Sequence, residues 1–403
     1  MLSLIIIIKW RQYTIIMNKI YLDNASTTFP KPECVSDTVY KYMTEMGSNI
    51  NRGCYEDAYS VESMVFETRE LIAEMFGASD CKNVVFTKNI TESLNIILKG
   101  FLKSGDHVLV SSMEHNAVMR PLVQLEKSGV SFSRIPCSGT GELDLGALLS
   151  LVNKNTKAVI MTHASNVCGT VMPLKDVGHF CKKHSLKFIV DSAQTAGILP
   201  INMQEMNIDA LAFTGHKGLL GPQGIGGFIL SEDMIDKIEP LIAGGTGSIS
   251  HSEEIPDFMP DKFEAGTPNI PGILGLRASL YWIKETTTNA LLSHELALTK
   301  IFLDGLTPLE DTGFIKIKGK KDLANRTGIV SIMTLTKDSS EVAYTLDSKY
   351  NILTRVGLHC APGAHKTLGS YPAGTIRFSF GYANTESDVN AAINALKEIF
   401  NGV

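Results

Sequence analysis

One lysine, Lys217, stands in the run Phe213-Thr214-Gly215-His216-Lys217-Gly218, directly after the apolar stretch Ala210-Leu211-Ala212-Phe213. An aspartate, Asp191, closes a second apolar stretch, Lys187-Phe188-Ile189-Val190. A lysine on a tight turn can form a Schiff base with an aldehyde, and a carboxylate at a strand end can hold a pyridinium nitrogen. Pyridoxal phosphate chemistry needs both groups. Each has a plainer reading: a lysine in a Gly-rich turn is usually solvated, and an Asp after an apolar run is usually a helix N-cap.

The elements that must position these residues are legible as a pattern. Val84-Val85-Phe86, His107-Val108-Leu109-Val110, residues 131–135, Ala158-Val159-Ile160-Met161, Phe188-Ile189-Val190 and Ala210-Leu211-Ala212-Phe213 read as strands. Helical spacing fills residues 91–102, 145–152 and 174–184 between them. This alternation implies an α/β fold with a mostly parallel sheet covered by helices on both faces. Ligands gather at the carboxyl ends of such strands. Those ends carry residues 87–91, Glu114-His115, residues 163–166, 191–194 and 214–217, five polar and reactive clusters in a row. Past about residue 275 an apolar helix over 272–283 leads to an α+β region that ends in a helix over 386–400. That region reads as a smaller second domain, joined by the residues just after Met17.

Size and composition set bounds. A chain of 403 residues, 44% hydrophobic and 20% charged, suggests two or three domains and a core large enough to enclose a cofactor. The net charge of −5 comes from mixed signs without a basic tract, which argues against nucleic acid as a partner. The seven cysteines are scattered, with no Cys-x-x-Cys pair, so neither a disulfide framework nor a structural zinc site is expected, and a reducing cytoplasm is. The apolar residues 2–8 are too few to span a membrane and precede their positive charge, unlike a secretory signal. Residues 1–16 read as a non-native or disordered extension before a start at Met17.

The clusters occur in an order that resembles the class V aminotransferase-type enzymes. They are Asp23-Asn24-Ala25-Ser26-Thr27-Thr28, residues 113–118, residues 162–170, residues 190–194, residues 214–217, residues 263–269 and residues 355–362. Within that family the chain is similar to the cysteine desulfurase and selenocysteine lyase group, from about Ile20 to the C-terminus. The resemblance implies a fold-type I transferase. Its large domain, residues 34–275, would carry a mostly parallel seven-stranded sheet, and residues 17–33 with 276–403 would form a smaller α+β domain.

The resemblance also implies a role for each matching residue. Lys217 would hold pyridoxal 5'-phosphate and then take the substrate's Cα proton. Asp191 would pair with the pyridine nitrogen. His115 would stack on the ring. Gln194 and Asn166 would approach the ring's phenolic oxygen, Asn166 also the substrate carboxylate. Ile90 (through its backbone), Thr91, Thr214 and His216 would hold the phosphate. Thr267 would reach the phosphate of a neighbouring subunit, implying a homodimer with shared sites. Arg377 would bind the substrate carboxylate, with Arg52 at the site's entrance. Cys360 would attack the substrate sulfur and carry it as a persulfide, leaving alanine and serving a sulfur-acceptor protein. The glycines, the proline and the basic or titratable neighbours His359, His365 and Lys366 suggest a movable loop that favours a thiolate.

Several positions depart from the family pattern. Residues 89–92 read Asn-Ile-Thr-Glu where relatives often have Gly-Thr-Thr-Glu, Asn116 stands where many carry a second His, and Asn51 likewise replaces a His. L-selenocysteine in place of L-cysteine, a related transaminase or Cβ-lyase with an incidental Cys360, and a scaffold without turnover remain open as alternatives. Cys54 reads as an inert thiol sooner than a second redox-active one.

Overall fold

The computed structural model describes residues 19–50, 55–249 and 251–402, so the extension at 1–16, Arg52 and Cys54 lie outside the described residues. Seven strands form the main sheet: β1 (Val84–Thr87), β2 (His107–Ser111), β3 (Ser131–Ile135), β4 (Thr156–Thr162), β5 (Lys187–Asp191), β6 (Ala210–Thr214) and β7 (Gly226–Leu230). Their spatial order is β1-β7-β6-β5-β4-β2-β3. All neighbours run parallel except β7, which is antiparallel to both β1 and β6. The fold class implied by the resemblance holds, with one strand reversed. Residue periodicity missed β7 because Gly226-Gly227-Phe228 opens it; glycine lowers strand propensity. Here it is required, since a Cβ on Gly227 would lie 2.4 Å from the Val85 carbonyl.

Residues alternate between two cores across this sheet. Val159, Met161, Phe188, Val190, Leu211 and Phe213 face helices α2 (Glu56–Phe76) and α6 (Ile270–Thr286). Ala158, Ile160, Ile189, Ala210 and Ala212 face α3 (Ile90–Phe101) and α4 (Asn116–Glu126). Every residue of β6 is buried, and Phe213 alone contributes roughly 2–3 kcal/mol of apolar burial. That burial anchors the strand whose end carries Lys217.

A second, antiparallel sheet takes the order β10-β11-β9-β8, from β8 (Ile315–Lys318), β9 (Ile329–Thr334), β10 (Arg355–Gly357) and β11 (Thr375–Ser379). It packs on α7 (Thr288–Asp311), α8 (Ser339–Tyr350) and α10 (Glu386–Asn401) around Leu22, Phe302, Phe378 and Leu396. The segment Ile20–Tyr21 joins this region by pairing in parallel with Ile352–Leu353. No helix among the described residues is long and apolar enough to cross a membrane.

One buried acid in this region titrates against the fold. Glu295, on α7, is 8% exposed, and among the described residues no donor reaches its carboxylate, so burial pushes its pKa up to about 8. From its ordinary value up to about pH 8 the unfolded chain is ionised at this site while the folded chain keeps its proton. Stability is therefore lost as pH rises through that window. Glu295→Gln is expected to raise the melting temperature at pH 8–9 but not at pH 4.5, by roughly 1 °C per kcal/mol recovered in a chain this long. Equal shifts at both pH values in scanning calorimetry would contradict it.

Candidate active site

The order of the main sheet reverses at β2, with β3 on one side and β4 on the other. An open α/β sheet binds ligands in the crevice beside such a switch point, at the carboxyl ends of the strands. A cavity of about 290 Å³ lies there, and Lys217, Asp191, His115, Gln194, Asn166 and Arg377 all line it.

Lys217 follows β6 on a turn held close to its neighbours. A Cβ on Gly215 would sit 2.8 Å from Ile225 Cγ2, and one on Gly218 would sit 2.6 Å from the Ala196 carbonyl. Only glycine lets the turn pack at both places. Burial, only partly offset by Asp191 and aided by Arg377 and Arg355, pulls the Lys217 amine down to about 8. Near neutral pH a useful fraction is therefore the free base, which is the nucleophilic and proton-accepting form.

Asp191 is 2% exposed and accepts the Ala193 N–H on Oδ1 at 2.9 Å. Burial raises its pKa, so a cation facing it is favoured. His115 caps α4: its Nδ1 accepts the Ala117 N–H at 3.0 Å, which leaves the ring proton on Nε2. Burial, then the charges of Lys217, Arg355, Arg377 and Arg120, push its pKa down to about 4, so the ring is neutral and free to stack. Its neighbour Glu114 went unassigned in sequence terms. That carboxyl is fully buried, accepts from Ser111 Oγ and from the Thr162 N–H at 3.0 Å, and thereby ties β2 to β4 across the switch point. Gln194 donates to the Ala25 carbonyl at 3.1 Å.

At the phosphate end Asn89 caps α3, its Oδ1 accepting the Glu92 N–H at 3.0 Å. Asn fits a cap because its short side chain reaches the third amide. Ile90 and Thr91 fall in the first helical turn, where no intrahelical carbonyl reaches their N–H groups. Both line the cavity, as do Thr214 and His216. Thr214 Oγ1 and His216 Nδ1 are buried without a hydrogen-bond partner among the described residues. Unpartnered buried polar atoms and helix-terminal amides line one end of this cavity, a donor set that fits a phosphate dianion. Thr214→Val should leave the unloaded protein's melting temperature within about 1–2 °C, because no hydrogen bond is lost. It should weaken pyridoxal 5'-phosphate binding about tenfold in a titration, on the scale of one hydrogen bond to a charged group. Unchanged affinity would remove Thr214 from the anion site.

Arg377, on β11, is 1% exposed and so is no surface charge. Its guanidinium donates to the Asn166 carbonyl at 3.0 Å, to Asp23 Oδ1 at 2.8 Å and to Ser26 Oγ at 2.7 Å, while its Nε has no partner among the described residues. Arg355 lines the same cavity and also donates to Ser26 Oγ, at 2.8 Å. Sequence reasoning left Arg355, Asp23 and Ser26 without roles. Each lies in a quoted motif, yet only their convergence across more than 350 residues shows that two arginines face one space.

Cys360 lies apart from the main cavity. It lines an adjoining space of about 310 Å³ with Arg120, Asn116 and Gln124, and the two spaces share His115 and Thr91. In its loop the Cys360 carbonyl accepts from Asn116 N, the His359 carbonyl from Asn166 Nδ2, and Ala361 N donates to the Leu358 carbonyl. The expected basic surroundings are absent on two counts. His359 and His365 are buried, bonded to Thr375 and Ser370, and burial holds both neutral. His359 and Cys360 both take left-handed backbone angles, φ +48° and +57°. Such angles cost of order 1–3 kcal/mol each and gather at functional sites. Thr267 lies elsewhere, in a cavity with Lys88, Phe263 and Ile242. No cluster of metal-ligating side chains occurs among the described residues.

The family model described as aminotransferase class-V matches residues 20–392. A probable cysteine desulfurase of Methanothermobacter thermautotrophicus is 33% identical over 394 residues, covering 96% of each chain. A probable cysteine desulfurase of Aeropyrum pernix is 34% identical, covering 94% of each. The apo structure of a cysteine desulfurase from Thermococcus onnurineus superposes with a TM-score of 0.89 at 32% identity, over 96% of this chain and 95% of that one.

Proposed function

The chain belongs to the class V aminotransferase family, within its cysteine desulfurase group, and on that premise we propose that it binds pyridoxal 5'-phosphate and converts L-cysteine to L-alanine, passing the sulfur to Cys360 as a persulfide. The observation that carries this reading is Lys217, its amine lowered to about 8, set among Asp191, a neutral His115 and the paired arginines.

When bound, pyridoxal 5'-phosphate supplies an aldehyde and an electron sink. Lys217 would hold it through Nζ and would take the substrate Cα proton at the same atom. Asp191 would pair with its ring nitrogen. His115 would lie against the ring, Gln194 and Asn166 would approach its oxygen, and the amides of Ile90 and Thr91 with Thr214 and His216 would hold the phosphate. Arg377, whose Nε lacks a partner among the described residues, and Arg355 would orient the substrate carboxylate. The Cys360 thiolate then attacks the substrate sulfur: an S–S bond forms, the Cβ–S bond breaks, and its electron pair is protonated as alanine forms. The shared wall at His115 and Thr91 is where the sulfur would cross between the two cavities.

Thr267 lies outside the Lys217 cavity, beside exposed apolar residues such as Ile242, which supports a homodimer in which it reaches the neighbouring phosphate. The separate core around Phe302, Phe378 and Leu396 supports a small domain, while Leu276, Leu280, Ile283 and Leu291 still pack in the main-sheet core, so the large domain extends past residue 275. A cytoplasmic location, a sulfur-acceptor protein and an entrance role for Arg52 complete the proposal. The test is alanine formation from L-cysteine and from L-selenocysteine, with and without a reducing thiol. Alanine from cysteine with a stoichiometric persulfide supports it; turnover confined to selenocysteine favours a lyase, and an amino-group acceptor requirement favours a transaminase.

A further inference from the structure

The carbonyl of His216, in the peptide that leads into Lys217, accepts three hydrogen bonds from one short segment. They come from the Thr28 N–H at 3.0 Å, from Thr27 Oγ1 at 3.2 Å and from Lys31 Nζ at 2.6 Å. The carbonyl of Lys217 itself accepts from Thr28 Oγ1 at 3.0 Å. A carbonyl oxygen has two lone pairs. A third donor, and a charged one, exceeds what satisfying that backbone group requires.

Lys31 is half-buried, and among the described residues no carboxylate pairs with it. Burial pulls its pKa down to about 8. An ammonium in that position costs free energy that a neutral donor would not. Fold stability alone therefore gives no reason for a lysine there. Its charge also helps push the His216 imidazole down to about 4, alongside burial and Lys217, so the ring that faces the cavity stays neutral.

We propose that Lys31 is a positioning residue for Lys217: its ammonium fixes the His216 carbonyl and thereby the direction in which Lys217 leaves its turn. The segment that carries Lys31 also reaches the substrate end of the cavity, since Ala25 receives Gln194 and Ser26 receives both arginines. Lys31 thus couples the placement of the lysine to the placement of the carboxylate-binding groups. The inference rests on the proposed role of Lys217 in holding the cofactor.

Unloaded protein, mixed with pyridoxal 5'-phosphate, would develop a lysine-bound absorbance whose rate reports how well Lys217 is aimed. Lys31→Met should slow that rate about tenfold, the scale of one charge-assisted hydrogen bond. Lys31→Arg, which keeps a charged donor, should recover it to within about threefold. Both unloaded variants should melt within a few degrees of the unsubstituted protein. Should Lys31→Met fail to fold, Lys31→Gln takes its place with the same slow rate expected. An unchanged rate in the Met or Gln variant, or a slow rate that Arg does not restore, overturns the proposal. Absence of any lysine-bound absorbance in the unsubstituted protein would overturn the cofactor reading, and this inference with it.

Discussion

Lys217→Ala is expected to abolish covalent attachment of pyridoxal 5'-phosphate and to lower alanine formation from L-cysteine by a factor on the order of 10⁴, since attachment and proton transfer are lost together. The check is borohydride treatment followed by peptide mass mapping. The unsubstituted protein should yield a modified peptide containing Lys217, and the variant none. Modification at another lysine would displace Lys217 from the mechanism. A pH signature accompanies this. The Lys217 pKa is depressed to about 8 in the fold, whereas in the unfolded chain it keeps its ordinary, higher value. Between those values the unfolded chain binds the proton and the folded one does not, so the unloaded protein gains stability as pH rises through that interval. Below about pH 8 the folded chain must hold a poorly solvated ammonium. The Ala variant should therefore be relatively more stable at pH 7 than at pH 10, as urea titrations of both unloaded proteins would reveal.

Cys360→Ala should reduce persulfide and sulfide formation from L-cysteine by at least roughly a hundredfold. Absorbance of the bound cofactor and its affinity should stay unchanged, because Cys360 does not line the Lys217 cavity. Ala retains the same backbone demand at φ +57°, so the fold should tolerate the change. Desulfuration retained in the variant would make Cys360 incidental and favour the Cβ-lyase reading. The thiol's wall offers one charged side chain, Arg120, and not the histidines that sequence proximity suggested.

Much of the catalytic set was readable because this chemistry demands particular residue types at strand ends. Asp191 ends β5 and Lys217 sits on the turn just after β6, and the apolar runs before them leave few choices of fold. His115 and Thr214 follow by the same logic. What was not readable depended on long-range contact. Arg355 and Ser26 carry no local signal of their own; they become a binding pair only when β10, β11 and the 23–31 segment meet. Helical spacing from residue 91 placed the start of α3 one residue late, since a helix's ends are its least sharply marked part. The Cys360 loop misled for a related reason. His and Lys close together suggest positive charge, but burial neutralised two histidines.

The sequence by itself determined the reactive groups and the α/β layering, since side-chain chemistry and hydrophobic period are properties of short stretches. Tertiary structure alone decided the state and company of those groups. Desolvation depends on everything packed around a side chain, so only the folded chain could lower Lys217 to about 8, hold His115 neutral, bury Arg377 and set Lys31 against the turn that carries the lysine.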